Sequence, residues 1–333
     1  MPTEISNFGE IGFLDNIRLS NGVDSLKNYF HDLLMNGNEK AVELINEGNL
    51  RYCSLYVLQP ELETFDLNGR LNERNRTALR ITNDITVRNS EDVGILTQGR
   101  NTHTLSVLKW MLGTGYLDDG LSGGYEAVME QTAILLSRTY RDTELLGEIE
   151  EMIFARNRKG LFVHYLIWAL FEARSTYCLT LLANRLRSPV KSDAELAKRL
   201  LSFIPAVAAG SEAESMTLYR DAAGWIQENQ QFLYYTGESL HLTGNPHHYD
   251  ISREAKYLCS PVSIEDGSFL RPAGENERSI TDAFSKLDKE SKRLLSDCSY
   301  LLYRRNIHQW NTWMKLPIEG QIRLASAVMG GSA

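Results

Sequence analysis

The chain has 333 residues, of which 43% are hydrophobic and 23% charged, and its formal net charge is -8 at pH 7. This composition is typical of folded globular proteins and excludes a chain that is disordered throughout. The negative charge argues against a protein whose whole surface binds nucleic acid or anionic lipid, although it leaves room for a local basic patch.

The four cysteines, Cys53, Cys178, Cys259 and Cys298, lie far apart in the sequence. No two of them form a C-x-x-C pair, so neither a zinc site nor a thioredoxin-like motif is indicated, and no metal or other cofactor is predicted. Isolated cysteines suit the reduced thiols of a cytosolic protein. The N-terminus lacks the features of a signal peptide, and no stretch has the about 20 apolar residues of a transmembrane helix. We therefore expect a soluble cytoplasmic protein without membrane association.

Residues 1–103 are predicted to form an irregular or mixed N-terminal region. Within it, Val23–Met35 has apolar residues at helical spacing. The dense apolar run from Leu50 to Leu58 is compatible with a strand or a helix, and Pro60 is expected to end it. The stretch 81–96 lies in a part rich in Asn, Thr and Arg, and it is compatible with a short hairpin.

Residues 104–235 are predicted to form a helical core. Helix starts are predicted near residues 125, 142, 160, 176 and 192, at intervals of roughly 16 to 18 residues. This rhythm is typical of stacked antiparallel helices with short loops, as in α-solenoids, although no repeat signature aligns between successive pairs. The predicted fold class is therefore mainly α, with stacked antiparallel helices that form either a solenoid-like layer or an irregular helical bundle.

The stretch Gly160–Leu182 is the most conspicuous apolar segment of the chain. From Leu161 to Phe171 every residue is apolar or aromatic except His164. A helix that is apolar on every side must be surrounded by other elements. We therefore predict a buried central helix, in which His164 is a core histidine with a satisfied hydrogen bond.

Residues 236–333 are predicted to form a helical C-terminal region that contains loops. Its first part is rich in glycine and proline. A helix follows over residues 276–304, and a last helix starts at Pro317. The predicted buried face of the first of these helices consists of Ile280, Phe284, Leu287, Leu294, Leu295 and Leu302. The three regions are either separate domains or parts of one continuous domain.

Three of the seven histidines lie close together in the segment Phe232–Asp250, next to tyrosines and acidic residues. Histidine transfers protons near neutral pH and is the commonest metal ligand, and sites are often carried on loops. The candidate catalytic residues of an enzyme are therefore His241, His247, His248 and Asp250. The alternative is an ordered loop of exposed polar residues, since the histidines lack the i, i+4 spacing that brings two imidazoles to one metal.

An arginine series in the N-terminal region consists of Arg70, Arg74, Arg76, Arg80 and Arg88. In a helix, Arg76 and Arg80 are four residues apart and share a face, as do Arg70 and Arg74. Such a face suits phosphates or acidic protein segments. Nearby acidic residues offer local partners, so a salt-bridged, solvated face is the alternative.

Trp310 and Trp313 are three residues apart and would share a helix face. Exposed tryptophans are enriched at binding surfaces, whereas a pair near a C-terminal helix also serves to close a core. Both residues are therefore candidates for a binding surface as well as for the core.

No motif of the sequence specifies a reaction. The glycines from Gly113 to Gly120 lack the third glycine of a dinucleotide-binding loop and follow a helix rather than a strand. Layered helices build extended binding surfaces. We therefore predict a non-enzymatic interaction, scaffold or adaptor protein that binds a protein partner or itself. The alternatives are an enzyme with the His241–Asp250 loop in its site and, less favoured, a nucleic-acid-associated protein that uses the region Arg70–Arg88.

Overall fold

The protein is mainly helical. The structure is a computed structural model that describes residues 11–87, 101–117, 121, 123–210, 215–271 and 275–330, with the side chains of 275–279 excepted. Helices account for 71% of the described residues, so the predicted fold class is confirmed. Among the described residues, none of the helices is long and apolar enough to cross a membrane.

The chain divides into two compact units, Met1–Ala173 and Arg174–Ala333. The predicted boundaries at residues 103 and 235, which rest on composition, stay predictions. In its described part the first unit contains the helices α1 (Phe13–Asn21), α2 (Val23–Met35), α3 (Asn38–Ile45), α4 (Tyr52–Thr64), α5 (Glu73–Val87), α6 (Thr102–Gly115), α7 (Gly123–Ile134), α8 (Leu146–Arg158) and α9 (His164–Glu172). A π-helical segment, Leu135–Tyr140, continues α7.

The second unit combines helices with one small sheet. Its described helices are α10 (Tyr177–Arg185), α11 (Lys191–Leu200), α12 (Pro205–Ala209), α13 (Ser215–Asn229), α14 (Arg253–Tyr257), α15 (Glu275–Ser285), α16 (Lys289–Arg305), α17 (Ile307–Met314) and α18 (Ile318–Gly330). The strands β1 (Leu233–Tyr235) and β2 (Tyr249–Ile251) pair antiparallel, with Tyr234 opposite Asp250.

Within the region 1–103 that the sequence predicted to be irregular or mixed, the described residues 11–87 are mostly helical. The run from Leu50 to Leu58 lies largely in α4, and α4 continues through Pro60 instead of ending there. Leu55, Leu58 and Leu62 are fully buried along this helix. Burial of three leucines contributes about 1.5–3 kcal/mol each, which outweighs the about 3 kcal/mol that a proline inside a helix costs.

The predicted hairpin over residues 81–96 is wrong in its described part. Residues 81–87 belong to α5, and residues 88–96 lie outside the described residues. Ile81 and Ile85 are both buried. Because these two residues are four apart, they lie on one helical face, whereas a strand would place its buried residues at a period of two.

The stretch Gly160–Leu182 forms parts of two helices rather than one buried central helix. Between α9 and α10, Arg174 has a φ of 49°, a left-handed conformation that interrupts a helix. The boundary between the two units lies at this break. Phe162 and Tyr165 are 58% and 45% exposed, so the apolar run has a solvent face. His164 is half-buried and contacts the Phe162 ring at 4.5 Å between ring centroids, so it is not a core histidine.

The helices of the predicted helical core do not begin at even intervals. They begin at Gly123, Leu146, His164, Tyr177 and Lys191. Unequal spacing of this kind fits a helical bundle, and a helical repeat is not confirmed.

A cluster of tyrosines closes the core of the first unit around the end of α6. Tyr125 stacks on Tyr52 with 5.8 Å between ring centroids, and both side chains are buried. The Tyr125 hydroxyl donates a hydrogen bond of 2.9 Å to the carbonyl oxygen of Gly115. A Cβ atom on Gly115 would lie 2.5 Å from this hydroxyl and 2.8 Å from the sulfur of Met129. Glycine is therefore required here by close packing of α6 against α7.

Gly115→Ala is expected to destabilise the protein by roughly 1–3 kcal/mol, because the added methyl group overpacks the tyrosine cluster. Alanine favours a helix more than glycine does, so a loss of stability would have to come from the packing and not from helix propensity. The matched control is Gly147→Ala in α8, where an added Cβ meets no atom within 4 Å. Urea unfolding followed by circular dichroism measures both variants, and equal stability of the two would contradict the packing argument.

Candidate functional site

The second unit carries an open apolar groove, the C-terminal groove, between α16, α17 and α18. Its volume is about 400 Å³, which lies within the range of ligand-binding pockets. Its apolar lining consists of Cys298, Leu302, Trp313, Leu316, Leu324 and Val328. Three polar side chains of α17 complete it, namely His308, Gln309 and Thr312.

Two short connections hold the three helices around the groove. The Asn306 side chain caps α17 by accepting hydrogen bonds from the backbone amides of His308 (3.0 Å) and Gln309 (3.2 Å). The chain therefore turns directly from α16 into α17. The carbonyl oxygen of Pro317 accepts a bond of 2.9 Å from the Gly320 amide at the start of α18. Proline favours this position because its fixed φ suits a helix start.

Gln321 fastens α18 to α14 and to the end of α17. It is 2% exposed. Its Nε2 donates to the Leu316 carbonyl oxygen at 3.0 Å, and its Oε1 accepts from the Tyr257 hydroxyl at 2.6 Å. Burial raises the pKa of Tyr257 to about 12, so the phenol keeps the proton that it donates. The two bonds fix the position of α18 at one wall of the groove.

Trp313 forms the floor of the groove. It is 4% exposed and meets the Tyr257 ring edge-on at 5.9 Å, while Tyr257 stacks on Phe284 at 4.5 Å. Within the described part of the chain, the buried Nε1 donor of Trp313 has no hydrogen-bond acceptor. Buried donors are normally paired.

The walls of the groove expose apolar surface to water. Leu316 is 36% exposed and Leu324 48% exposed. Burial raises the pKa of the Cys298 thiol to about 11, so this side chain is a neutral thiol near pH 7 and not a nucleophilic thiolate. The groove is therefore suited to bind an apolar surface rather than to attack a substrate.

The two predicted tryptophans have different positions. Trp313 lines the groove, whereas Trp310 lies half-buried between α17 and α16. The Trp310 Nε1 donates to the Ser299 hydroxyl at 2.8 Å, and its ring meets Tyr303 edge-on at 5.3 Å. Trp310 thus braces the helix that carries Trp313.

The histidines of the predicted catalytic loop are organised by Glu238. His248 is 1% exposed, and its Nδ1 donates to the Glu238 carbonyl oxygen at 3.1 Å. Burial lowers the pKa of His248 to about 4. The backbone amide of the exposed His247 donates to the Glu238 carboxylate at 2.8 Å. His241 and Asp250 are exposed, the latter on β2. These contacts give His248 a structural part in the loop, and the predicted catalytic use stays a prediction.

The predicted arginine surface is largely bound to its own unit. Arg70 donates to both carboxylate oxygens of Glu39 at 2.9 Å. Arg74 lies over the Trp110 ring at 4.2 Å and donates to backbone carbonyl oxygens of the turn after α3, and Arg76 donates to the carbonyl oxygen of Leu71. Arg80 is exposed on α5, and Arg88 lies outside the described residues. A nucleic-acid surface here stays a prediction.

The leucine walls of the groove were not predicted from the sequence. Leu324 lies two residues after Ile322 and one before Ala325, which faces the core. The sequence feature that could have predicted this wall is therefore an apolar residue outside the core-facing stripe of α18. Among the described residues, no group of three or more His, Cys, Asp or Glu side chains is placed to hold a metal ion.

Comparison with known proteins returns no relatives. No protein-family model, curated protein or solved structure matches the chain.

Proposed function

We propose that this protein is a non-enzymatic interaction protein that binds an amphipathic helix of a partner protein in the C-terminal groove. The observation that carries the proposal is the open apolar lining, in which Leu316 and Leu324 remain 36% and 48% exposed. Contiguous exposed apolar surface on a folded protein marks interaction sites. A helix laid into an apolar groove is a common way to cover such a surface.

The dimensions and charges of the groove define the partner. α18 has 13 residues and is therefore about 20 Å long, so it matches a partner helix of three to four turns. Lys315 and Arg323 are exposed and immediately precede the lining residues Leu316 and Leu324. The partner helix would place leucine-like residues at i, i+3 or i+4 and i+7, and acidic residues on the flanks of this stripe.

Leu324→Glu is expected to weaken binding of such a helix at least tenfold, since it places a charge on the apolar wall of the groove. The probe is a fluorescent peptide of about 14 residues with a leucine stripe and glutamate flanks. The matched control is Leu242→Glu, because Leu242 is 77% exposed in a loop of the same unit and lies outside the groove. Fluorescence anisotropy measures affinity, and a peptide of the same composition with scrambled order tests the stripe.

A photo-crosslinking amino acid at position 324 or 242 of the full-length chain identifies the natural partner in cells. The proposal predicts a product at position 324 whose crosslinked segment is an amphipathic helix with an acidic flank. A crosslink to a second copy of this chain would show that the groove serves self-association rather than binding of a different protein. A probe peptide that binds the wild-type protein and Leu324→Glu equally well would overturn the proposal.

A further inference from the structure

A second groove of the second unit, the Lys256 groove, is lined by charged side chains. Its volume is about 820 Å³, and α12, α13, α14 and α16 contribute to its walls. Its lining shares no residue with that of the C-terminal groove. Six cationic side chains line it, namely Arg220, Arg253, Lys256, Arg293, Arg304 and Arg305. Only three carboxylates lie among its lining residues, namely Asp221, Glu228 and Asp297.

Asp297 is shared by three of these cations. The Lys256 ammonium lies 2.6 Å from the Asp297 carboxylate, Arg253 lies 3.4 Å from it, and the Arg293 Nε lies 4.0 Å from it. One negative charge therefore faces three positive charges. The local excess of two positive charges is available to an anion that enters the groove.

Lys256 lies at the buried end of this cluster. It is 5% exposed, and its ammonium also donates to the Asn229 side-chain oxygen at 2.8 Å. A buried ammonium group requires charged or polar partners, because its desolvation is costly. Lys256 is thus a fixed charge held by Asn229 and Asp297, while Arg253 and Arg293 are 30% and 67% exposed.

The outer part of the groove adds cations and aromatic surface. Within the described part of the chain, Arg220, Arg304 and Arg305 have no carboxylate at salt-bridge distance, and all three are exposed. Arg304 lies over the Tyr300 ring at 5.8 Å, and the half-buried Trp225 of α13 also lines the groove. Aromatic faces of this kind hold the organic part of a ligand.

We propose that the Lys256 groove binds the phosphate monoester group of a small organic molecule. A phosphate monoester carries about two negative charges near pH 7 and has three acceptor oxygens. It therefore matches the two uncompensated charges around Asp297, whereas a carboxylate would supply one. Arginine binds phosphate with two parallel N–H donors, so Arg253 and Arg293 are the side chains expected to contact it.

The position of these residues explains how the groove arises. Arg293, Asp297, Tyr300 and Arg304 follow each other at i, i+4, i+7 and i+11 on α16, so they form one face of that helix. Arg253 and Lys256 come from α14, which packs against α16. The proposal of phosphate binding at this face does not rest on the C-terminal groove, because the two grooves have no lining residue in common.

The test uses the full chain and five probes: ribose 5-phosphate, AMP, inorganic phosphate, uncharged ribose and a hexaglutamate peptide. Titration calorimetry at low salt is expected to show that ribose 5-phosphate binds and ribose does not. Arg253→Gln and Arg293→Gln are each expected to weaken ribose 5-phosphate binding roughly tenfold or more. Both variants keep the Lys256–Asp297 pair, so melting temperatures close to that of the wild-type protein establish that they fold.

Arg323→Gln is the charge-matched control, since Arg323 is exposed on α18 and lies outside both linings. It is expected to bind ribose 5-phosphate like the wild-type protein. The sources of the phosphate are distinguished by relative affinity. Tighter binding of AMP identifies a nucleotide whose base uses Trp225 or Tyr300, and equal binding of AMP and ribose 5-phosphate identifies a sugar phosphate. Binding of inorganic phosphate as tight as that of ribose 5-phosphate would contradict the proposed organic monoester and assign the groove to the free ion.

Three further results would overturn the proposal. The first is that none of the phosphate-containing probes binds. The second is that Arg253→Gln and Arg293→Gln bind as tightly as Arg323→Gln, which would show that the phosphate sits elsewhere. The third is that a hexaglutamate peptide binds more tightly than every phosphate probe, which would assign the groove to an acidic protein segment.

Discussion

Trp313→Ala is expected to lower the free energy of unfolding of the second unit by about 3–5 kcal/mol. Trp313 is 4% exposed and packs against Tyr257 in the same core cluster as Phe284 and Leu295. Its removal leaves a cavity in this cluster, and the neighbouring helices can fill it only in part. Urea unfolding of the full chain, read by hydrogen exchange of peptides from α16 to α18, measures the loss where it arises.

The control for this prediction is Leu324→Ala, which truncates an exposed wall of the same groove. Leu324 is 48% exposed, so less apolar area returns to water and no closed cavity forms. We expect a loss below about 1 kcal/mol. Equal losses for the two variants would show that Trp313 does not anchor the core. The pair also separates stability from binding, since both residues line the groove but only Trp313 closes the core.

Lowering the pH from about 7.5 to about 5 is expected to destabilise the second unit by about 2 kcal/mol through His248 alone. Burial lowers the pKa of His248 from its ordinary 6.5 to about 4 in the folded protein. The folded state therefore holds this imidazole neutral where the unfolded chain already binds a proton. The contribution of the neutral His248 to the free energy of unfolding is fully present above pH 6.5. It is lost as the pH falls towards about 4, where the loss reaches about 3 kcal/mol.

His248→Asn tests this assignment, because asparagine retains a side-chain donor for the Glu238 carbonyl oxygen but does not titrate. Its loss of stability between the two pH values should be smaller than that of the wild-type protein by about 2 kcal/mol. His241→Asn, which makes the same substitution at an exposed histidine of the same loop, is the matched control. An unchanged pH dependence in His248→Asn would contradict the prediction.

Helical periodicity in the sequence predicted much of the architecture. The helix predicted over residues 276–304 corresponds to α15 and α16. On its predicted buried face Phe284 and Leu295 are buried, whereas Ile280, Leu287, Leu294 and Leu302 are half-buried. The structure divides this stretch at Asp288, whose side chain caps α16 by accepting from the Ser291 amide at 2.9 Å. Local spacing therefore predicted the core-facing side of α15 and α16, but it did not predict that Asp288 divides the stretch into two helices.

The wrong predictions share a physical cause. Pro60 was expected to end an apolar run, and the stretch Gly160–Leu182 was expected to be one buried helix. Both predictions considered only the composition of the segment itself and not its contacts with the rest of the protein. The helix around Pro60 persists because leucines on both sides of it are buried in the first unit. The stretch after Gly160 is interrupted because Arg174 takes a left-handed conformation at the unit boundary.

The residues of the two grooves also differ in how far the sequence predicted them. The sequence identified Trp313 as a candidate for a binding surface or a core, and in the structure Trp313 is part of both the core and the groove lining. The sequence pattern did not identify Lys256, because it does not distinguish Lys256 from the other charged residues of the short helix α14. Lys256 acquires its role from Asn229, 27 residues before it, and from Asp297, 41 residues after it.

The sequence by itself determined the fold class and the apolar faces of several helices, because helix formation and amphipathic burial depend on residues three or four positions apart. Only the tertiary structure decided where the chain divides, which apolar side chains stay exposed, and which charges meet. Those features depend on contacts between residues distant in sequence, such as Lys256 with Asp297 and Gln321 with Tyr257. No local period encodes such contacts.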